Sequence, residues 1–236
     1  MRAVILAAGQ GIRLRSMIDD RPKGLIEIDG EQLVARSVRL LRTAGIGDVT
    51  IVAGHLAEQY AEFCAAHAGV RLVINDAYAS AGSMASYAAA YDAGITGELL
   101  LLESDIIYEP RALAAILAPD GAATLVSGPT AAGDEVWVHA VDGALRAMSK
   151  CRDDLPSSVG EFVGITRLSA AAAASMRGQF ADFVAAHGHG RMDYETGALV
   201  AVARQSPVSV VVVPDLQWGE IDDERQYARV SSMRWT

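Results

Sequence analysis

The chain has few of the residues and segments that mark several common protein classes. Two of its 236 residues are cysteines, Cys64 and Cys151, and their spacing matches no disulfide framework, zinc site or redox motif. No apolar run reaches the roughly 18 residues that a membrane-spanning helix needs, and no secretory leader precedes Ala3. The sequence therefore predicts a cytoplasmic protein that does not enter a membrane.

Positive charge is also scarce. Twenty Lys and Arg residues stand against 29 Asp and Glu residues, and the net charge of −9 argues against a nucleic-acid partner, which would require a basic face. Of the 20 cations only Lys23 and Lys150 are lysines. Because the chain uses arginine elsewhere, a lysine at these two positions indicates a need for a compact point charge.

The segment from residue 3 to residue 24 predicts a cradle for a polyphosphate. Residues 3–6 are an apolar run typical of a buried strand, and residues 7–11 form a turn of small residues that lets backbone N–H groups approach a ligand. Four cations follow within eleven residues, and such a group beside a bare backbone loop suits phosphates. These cations are Arg13, Arg15, Arg21 and Lys23.

Two familiar phosphate-binding motifs do not fit this segment. A P-loop requires G-x-x-x-x-G-K-[ST], and no such run follows Gly9 or Gly11. The dinucleotide-binding motif G-x-G-x-x-G begins correctly at Gly9, but Leu14 occupies its sixth position, where close helix packing requires a small residue. Neither motif therefore accounts for the cradle, and the alternative to phosphate binding is an ordinary strand-to-helix turn with solvated arginines.

Strand-like and helix-like segments alternate along most of the chain. Continuous apolar runs predict buried parallel strands at 3–6, 25–28, 49–53, 70–74, 99–102, 122–127 and 208–213. Helical patterns occur at 32–44, 55–67, 83–93, from Pro110 onward, 169–186, 194–204 and 221–230. Shorter alternating segments at about 134–167 predict a small antiparallel insertion. We expect an α/β fold with a single Rossmann-like, mostly parallel sheet, helices on both faces, and one domain over residues 1–236.

Acidic and polar residues follow the predicted strands at the edge where parallel sheets bind ligands. Asp105 comes just after 99–102, and Glu220 and Asp222 lie between the last strand and the last helix, so the three carboxylates offer the hard oxygen ligands that Mg²⁺ prefers. The alternatives are a turn residue at Asp105 and a solvated helix start at Glu220 and Asp222. Asn75 and Ser83 suit a base or ribose, or equally a turn and an N-cap.

The opening L-A-A-G-Q-G-I-R-L followed by P-K resembles the signature of nucleotidyltransferases. Nearly the whole chain is similar to the cytidylyltransferases that act on phosphocholine and on 2-aminoethylphosphonate. This similarity lies in P-K-G-L-I-E-I-D-G, N-D-A-Y-A-S-A-G-S-M, L-L-L-E-S-D-I-I-Y-E-P-R-A-L, D-Y-E-T-G-A-L-V and W-G-E-I-D-D-E. G-D-E-V, M-S-K and G-E-F-V-G-I resemble the aminoethylphosphonate branch more closely. The fold that this resemblance implies is that of the nucleotide-diphospho-sugar transferases.

The resemblance also implies roles for individual residues. Mg²⁺ would be held by Asp105, Glu220 and Asp222, and catalysis would depend on Lys23, Arg13 and Lys150. CTP would be bound by Leu6, Ala7, Ala8, Gly9, Gly11, Asn75, Gly82 and Ser83, together with Arg13 and Lys23. Candidates for the acceptor are Lys150, Asp134, Glu135, Glu161, Tyr194 and Glu195, with Asp193, Trp137 and Trp218 beside them. This set is rich in acids and poor in tryptophan, which favours a primary amine over a quaternary one.

We therefore expect a Mg²⁺-dependent cytidylyltransferase that transfers CMP from CTP to a small aminoalkyl phosphonate, with 2-aminoethylphosphonate preferred, and releases pyrophosphate. Within the enzyme class the alternatives are a phosphocholine cytidylyltransferase and a sugar-1-phosphate nucleotidylyltransferase. A catalytically dead relative that binds nucleotide as a regulator is the alternative outside it. The sequence leaves the oligomeric state open, a homodimer included.

Overall fold

A computed structural model describes residues 1–14 and 21–235 of the chain. Its strands are β1 (Arg2–Ala7), β2 (Glu27–Ile28), β3 (Glu31–Gln32), β4 (Val49–Ala53), β5 (Val70–Ile74), β6 (Leu99–Glu103), β7 (Ile106–Tyr108), β8 (Ala122–Ser127), β9 (Trp137–Val141), β10 (Ala144–Ser149), β11 (Gly160–Leu168), β12 (Val208–Val213) and β13 (Trp218–Glu220). Its α-helices are α1 (Leu33–Thr43), α2 (Ala57–Ala66), α3 (Ser83–Asp92), α4 (Arg111–Leu117), α5 (Ala170–His187), α6 (Val200–Ala203) and α7 (Glu224–Ser231). A π-helical turn, Tyr194–Leu199, precedes α6, and short 3₁₀ turns occur at Ile12–Leu14, Lys23–Leu25 and Arg152–Asp154.

A nine-stranded sheet forms the centre of the described structure, in the order β5-β4-β1-β6-β11-β8-β12-β10-β9. The strand pairings show that, of these nine, only β10 and β11 run against the common direction. The mostly parallel sheet that the sequence predicts is therefore confirmed. Two small antiparallel pairs, β2 with β3 and β7 with β13, lie beside it.

Alternate residues of β1 show how the sheet divides the core. Ile5 packs into a cluster with α1, α2 and α4, whereas Val4 and Leu6 pack into a second cluster with α3, α5 and α6. Because strand side chains alternate between faces, one apolar strand supplies both clusters. Helices thus cover both faces, as predicted. Within the described residues, no helix is long and apolar enough to cross a lipid bilayer.

The segment expected as an insertion at about 134–167 is placed differently. Its strands are antiparallel, but β11 lies inside the main sheet, between β6 and β8. All nine residues of β11 are buried, as a central strand requires. Sequence pattern describes one strand at a time and carries no strand order, so the central position of β11 was not predictable from it. The strands β7, β10 and β13 were also not predicted.

Gly160, the first residue of β11, offers a test of this central placement. Its φ of +150° is one that side chains rarely adopt, and a Cβ there would lie within 3.0 Å of the Ser127 carbonyl oxygen on the neighbouring strand. We expect Gly160→Ala to lower the free energy of unfolding by about 1–3 kcal/mol, because backbone has to shift in a packed sheet. Urea unfolding measures this change.

Gly178, in the middle of α5, is the matched control. No atom lies within 4 Å of a Cβ built there. Gly178→Ala should raise the free energy of unfolding by about 0.5–1 kcal/mol, since alanine loses less backbone entropy in a helix. Equal stability of the Gly160→Ala variant and the wild-type protein would contradict the central position of β11.

Candidate active site

A cavity of about 260 Å³ opens where β1 and β6 end, and we call it the β1 cavity. The turn after β1 forms one side of it, and the start of α3 forms the other. Seven of the eight residues predicted to bind nucleotide line it; the exception is Gly11. The seven are Leu6, Ala7, Ala8, Gly9, Asn75, Gly82 and Ser83.

Several of these residues shape the β1 cavity through contacts with the protein itself. The Asn75 side chain accepts the Ala77 N–H at 3.0 Å, which is the turn role left open by the sequence, and donates to the Ser86 hydroxyl at 3.0 Å. Ser83 Oγ accepts the Tyr194 N–H at 2.8 Å. By contrast, nothing lies within 4 Å of a Cβ built on Gly9, so backbone is accessible at that turn.

Three carboxylates gather at the rim of the β1 cavity. Carboxylate oxygens of Glu103, Asp105 and Glu220 lie within 4.8 Å of one another. Glu103 ends β6, and the pairing of β13 with β7 sets Glu220 opposite Ile106. The Ile221 N–H donates to the Asp105 carbonyl at 2.9 Å and fixes this approach. We call these three residues the acidic trio.

Burial makes the acidic trio electrostatically unfavourable as bare carboxylates. Burial raises the pKa of Glu103 well above its ordinary range, and the neighbouring charges of Glu220 and Asp105 raise it further. Burial and the charge of Asp105 raise the pKa of Glu220 to about 8, although Lys23 opposes this. Crowded oxygen donors of this kind suit a divalent cation, and Mg²⁺ fits a site with few protein carboxylates.

The acidic trio differs from the predicted metal ligands at one position. Asp105 and Glu220 belong to both sets, Glu103 joins them in the trio, and Asp222 lies beside it, in contact with Arg13 and with Lys23, which also contacts Asp105. The sequence did contain a signal for Glu103. It stands two residues before Asp105 at the end of a predicted strand, and residues two apart on extended backbone face the same side.

Lys23 brings positive charge to the boundary of the β1 cavity. Its Nζ lies 3.0 Å from Asp105 Oδ2 and also contacts Asp222. The next residue, Gly24, allows the chain to pass close to the core, because a Cβ there would lie 2.7 Å from both the Tyr60 hydroxyl and Val34 Cγ1. A side chain at position 24 would therefore push Lys23 out of place.

Arg13 is held by two carboxylates that a buried glutamine organises. Its guanidinium contacts Asp222 and lies 3.3 Å from Asp134 Oδ2. Gln226, only 1% exposed, donates to Asp134 Oδ1 at 2.7 Å and accepts the Asp222 N–H. Sequence pattern did not link Gln226 to Asp134, which is 92 residues away, or to Asp222, which is 4 residues away.

Arg21, a third cation of the opening segment, does not join this group. Arg21 pairs with Glu27 at 3.7 Å on the surface. Arg15 lies outside the described residues.

A second cavity, of about 230 Å³, lies on the other side of the acidic trio, and we call it the β11 cavity. It shares Glu103 and Glu220 with the β1 cavity, so these two carboxylates form a common wall. Its remaining lining includes four of the nine residues predicted for the acceptor, Asp134, Lys150, Glu161 and Glu195. The remaining lining residues are Arg13, Asp134, Val136, Lys150, Glu161, Phe162, Glu195 and Asp222.

Lys150 is the second lysine of the chain and stands at the edge of the β11 cavity. Its Nζ lies 3.1 Å from Asp193 Oδ2 and 3.9 Å from Glu195 Oε1. Partial burial would lower the pKa of Lys150, but the hydrogen bond to Asp193 and the charge of Glu195 outweigh it and raise that pKa. Lys150 therefore remains a cation.

Five other acceptor candidates lie outside the lining of the β11 cavity, and one of them, Asp193, is the partner of Lys150. Tyr194 lines the β1 cavity, and Glu135 accepts the Gly133 N–H at 3.2 Å on the exposed side of its loop. Trp137 stacks with Arg152, whose guanidinium lies 5.7 Å from the ring centre, and Trp218 is buried in the core. The arrangement as a whole offers space for two anions, one on each side of a site for a divalent cation.

Comparison with known proteins gives results consistent with this arrangement. Residues 3–164 match the model of the MobA-like NTP transferase domain. A choline-phosphate cytidylyltransferase from Streptococcus pneumoniae is 43% identical over 79 residues, which are 34% of each chain. A 2-aminoethylphosphonate cytidylyltransferase from Lancefieldella rimae is 31% identical over 115 residues, which are 46% of this chain and 47% of the relative. The chain thus spans less than half the length of these relatives.

The solved structure of an inositol-1-phosphate CTP transferase from T. maritima superimposes with a TM-score of 0.81. The match covers 98% of this chain and 94% of the other, at 19% sequence identity. At this identity the likeness concerns the fold alone, and it confirms the predicted nucleotide-diphospho-sugar transferase-like fold. The family model and the relatives confirm the resemblance to nucleotidyltransferases that the motifs indicate.

Replacement of Gln226 tests the clamp around Arg13. Gln226→Leu keeps the volume of the side chain but leaves the buried Asp222 N–H and Asp134 Oδ1 without this partner. We expect the free energy of unfolding to fall by about 1–3 kcal/mol, the cost of unsatisfied buried polar groups. Gln205→Leu, at an exposed glutamine, should change it by less than about 0.5 kcal/mol. Equal effects of the two replacements in urea unfolding would contradict the clamp.

Proposed function

Because the chain belongs to the family of MobA-like NTP transferase domains, we propose that it is an enzyme that transfers CMP from CTP to 2-aminoethylphosphonate and releases pyrophosphate. One observation carries this proposal. Two cavities, with Lys23 at the edge of one and Arg13 and Lys150 at the edge of the other, share a wall of partly buried carboxylates suited to a divalent metal. A reaction between two anions needs this combination of positive charge and proximity.

In this proposal CTP binds in the β1 cavity. The backbone of the turn at residues 7–9 lies against its phosphates, and Lys23 contributes an ammonium beside the acidic trio. Glu103, Asp105 and Glu220 would hold Mg²⁺, which neutralises charge on the phosphates when bound. Asp222 acts differently, since it contacts both Lys23 and Arg13 and keeps the two cations close together.

The acceptor binds in the β11 cavity, with its phosphonate towards Arg13 and Lys150. An oxygen of the phosphonate attacks the α-phosphorus of CTP in line; the new P–O bond forms as the bond to the β-phosphate oxygen breaks, and pyrophosphate leaves. The attacking oxygen is already ionised near neutral pH, so no strong general base is needed. The side chains therefore accelerate the reaction by positioning the reactants and offsetting repulsion between them.

The lining of the β11 cavity favours a primary amine on the acceptor. A quaternary ammonium is bound best by an aromatic cage. Trp137 and Trp218 lie elsewhere, and among the described lining residues Phe162 alone is aromatic. Phosphocholine is the second candidate because a choline-phosphate cytidylyltransferase is 43% identical over 79 residues.

A supply of CTP and the free thiols of both cysteines fit the predicted cytoplasmic location.

Pyrophosphate release with a panel of nucleotides and acceptors tests this proposal. We expect turnover with CTP, Mg²⁺ and 2-aminoethylphosphonate, and less with phosphocholine. Lys23→Ala should lower kcat by about 10²–10³, as for the loss of one preorganised donor. Arg146→Ala, at an exposed arginine outside both cavities, should leave kcat unchanged.

Other outcomes of the same assay would identify the alternatives. Turnover with UTP or dTTP and a sugar phosphate would favour a sugar-1-phosphate nucleotidylyltransferase. CTP binding without pyrophosphate release from any acceptor would contradict the proposal and favour a catalytically dead regulator.

A further inference from the structure

Glu161 is a buried carboxylate that faces the β11 cavity. It is the second residue of β11, is 4% exposed, and is one of the residues that line the cavity. Thr130 holds it in a fixed orientation, because the Thr130 N–H donates to Oε2 at 2.6 Å and the Thr130 hydroxyl donates to Oε1 at 3.0 Å. Each carboxylate oxygen thus keeps a free lone pair for a ligand.

The cations around this cavity have other carboxylates as partners. Arg13 pairs with Asp134 and Asp222, and Lys150 pairs with Asp193 and Glu195. Within residues 1–14 and 21–235, Glu161 forms no such ion pair. Among the described carboxylates that line this cavity outside the acidic trio, Glu161 is therefore the one that the protein orients without an ion pair.

The surroundings of Glu161 disfavour its ionised form. Burial raises the pKa of Glu161 to about 7, the Thr130 hydrogen bonds oppose the rise, and the charge of Glu135 adds to it. Arg229 lowers this pKa but does not pair with Glu161. A cationic group placed in the cavity would stabilise the ionised carboxylate and gain a charge-assisted hydrogen bond from it.

We propose that Glu161, oriented by Thr130, binds the primary ammonium group of the acceptor and so determines which acceptors the enzyme uses. This inference rests on the proposed function and gives its acceptor site a specific contact. The acceptor is then a short zwitterion, with its anionic end towards Lys150 and Arg13 and its ammonium at Glu161. A primary ammonium has three N–H donors for the free lone pairs of Glu161, whereas a trimethylammonium has none.

The test compares acceptors with and without the amino group in the full-length protein. For Glu161→Gln, an isosteric change, kcat/KM for 2-aminoethylphosphonate should fall roughly 10- to 100-fold, the equivalent of one hydrogen bond to a charged group. For ethylphosphonate, which lacks the amino group, kcat/KM should stay as it is in the wild-type enzyme. The ratio of kcat/KM for 2-aminoethylphosphonate to kcat/KM for ethylphosphonate, rather than activity itself, therefore measures the ammonium contact.

A pair of Thr130 variants serves as a second test, and a third variant serves as the control. Thr130→Val removes the hydroxyl that orients Glu161, so it should lower the same ratio to a smaller extent, and Thr130→Ser should restore it. If Glu161→Gln does not fold, this pair decides the question. Glu58→Gln is the control, because Glu58 is exposed on α2 and lines neither cavity; it should leave the ratio unchanged.

The failures of the inference and of the proposed function are distinguishable. Turnover of both acceptors by Glu161→Gln with the wild-type ratio would overturn the role of Glu161 and leave the proposed function intact. An equal loss with both acceptors would do the same, since it would indicate a structural role. No CMP transfer by the wild-type enzyme to any acceptor would overturn both.

Discussion

Three partly buried carboxylates, those of Glu103, Asp105 and Glu220, are held close together, and the repulsion between them is the constraint on which the site depends. Like charges this close raise one another's pKa and cost free energy unless a cation joins them. The main sheet fixes the position of Glu103 at the end of β6. The separate pairing of β7 with β13 brings Glu220 close to Glu103 and Asp105. The fold thus maintains an arrangement that the side chains alone would not adopt.

The same repulsion explains the positions of the cations. Lys23 contacts Asp105, and Asp222 links Lys23 to Arg13, so positive charge surrounds the acidic trio without entering it. Gln226 extends this network through the interior to the loop that carries Asp134. One connected set of polar contacts therefore links Lys23, beside the β1 cavity, to Asp134 in the lining of the β11 cavity. This connection is the structural basis for a reaction that needs two anions in adjacent cavities.

Features encoded within a few residues were predictable from the sequence. The apolar strand before Gly9 and the acid at Asp105 follow from local pattern, and the structure has both at the ends of neighbouring strands. Features that depend on distant pairing were not predictable. The approach of Glu220 to the end of β6 depends on the pairing of β13 with β7, and the central position of β11 requires contacts with two strands far away in sequence. Local periodicity contains no information on such pairings.

The location of the metal tests the central claim most directly. Crystals grown with Mn²⁺ and a CTP analogue that cannot be cleaved would locate the ion by its anomalous scattering. The account predicts one peak at the acidic trio, about 2.0–2.3 Å from oxygens of Glu103, Asp105 and Glu220, with the analogue in the β1 cavity. A peak coordinated by Asp222 and not by Glu103, or a nucleotide in the β11 cavity, would contradict it.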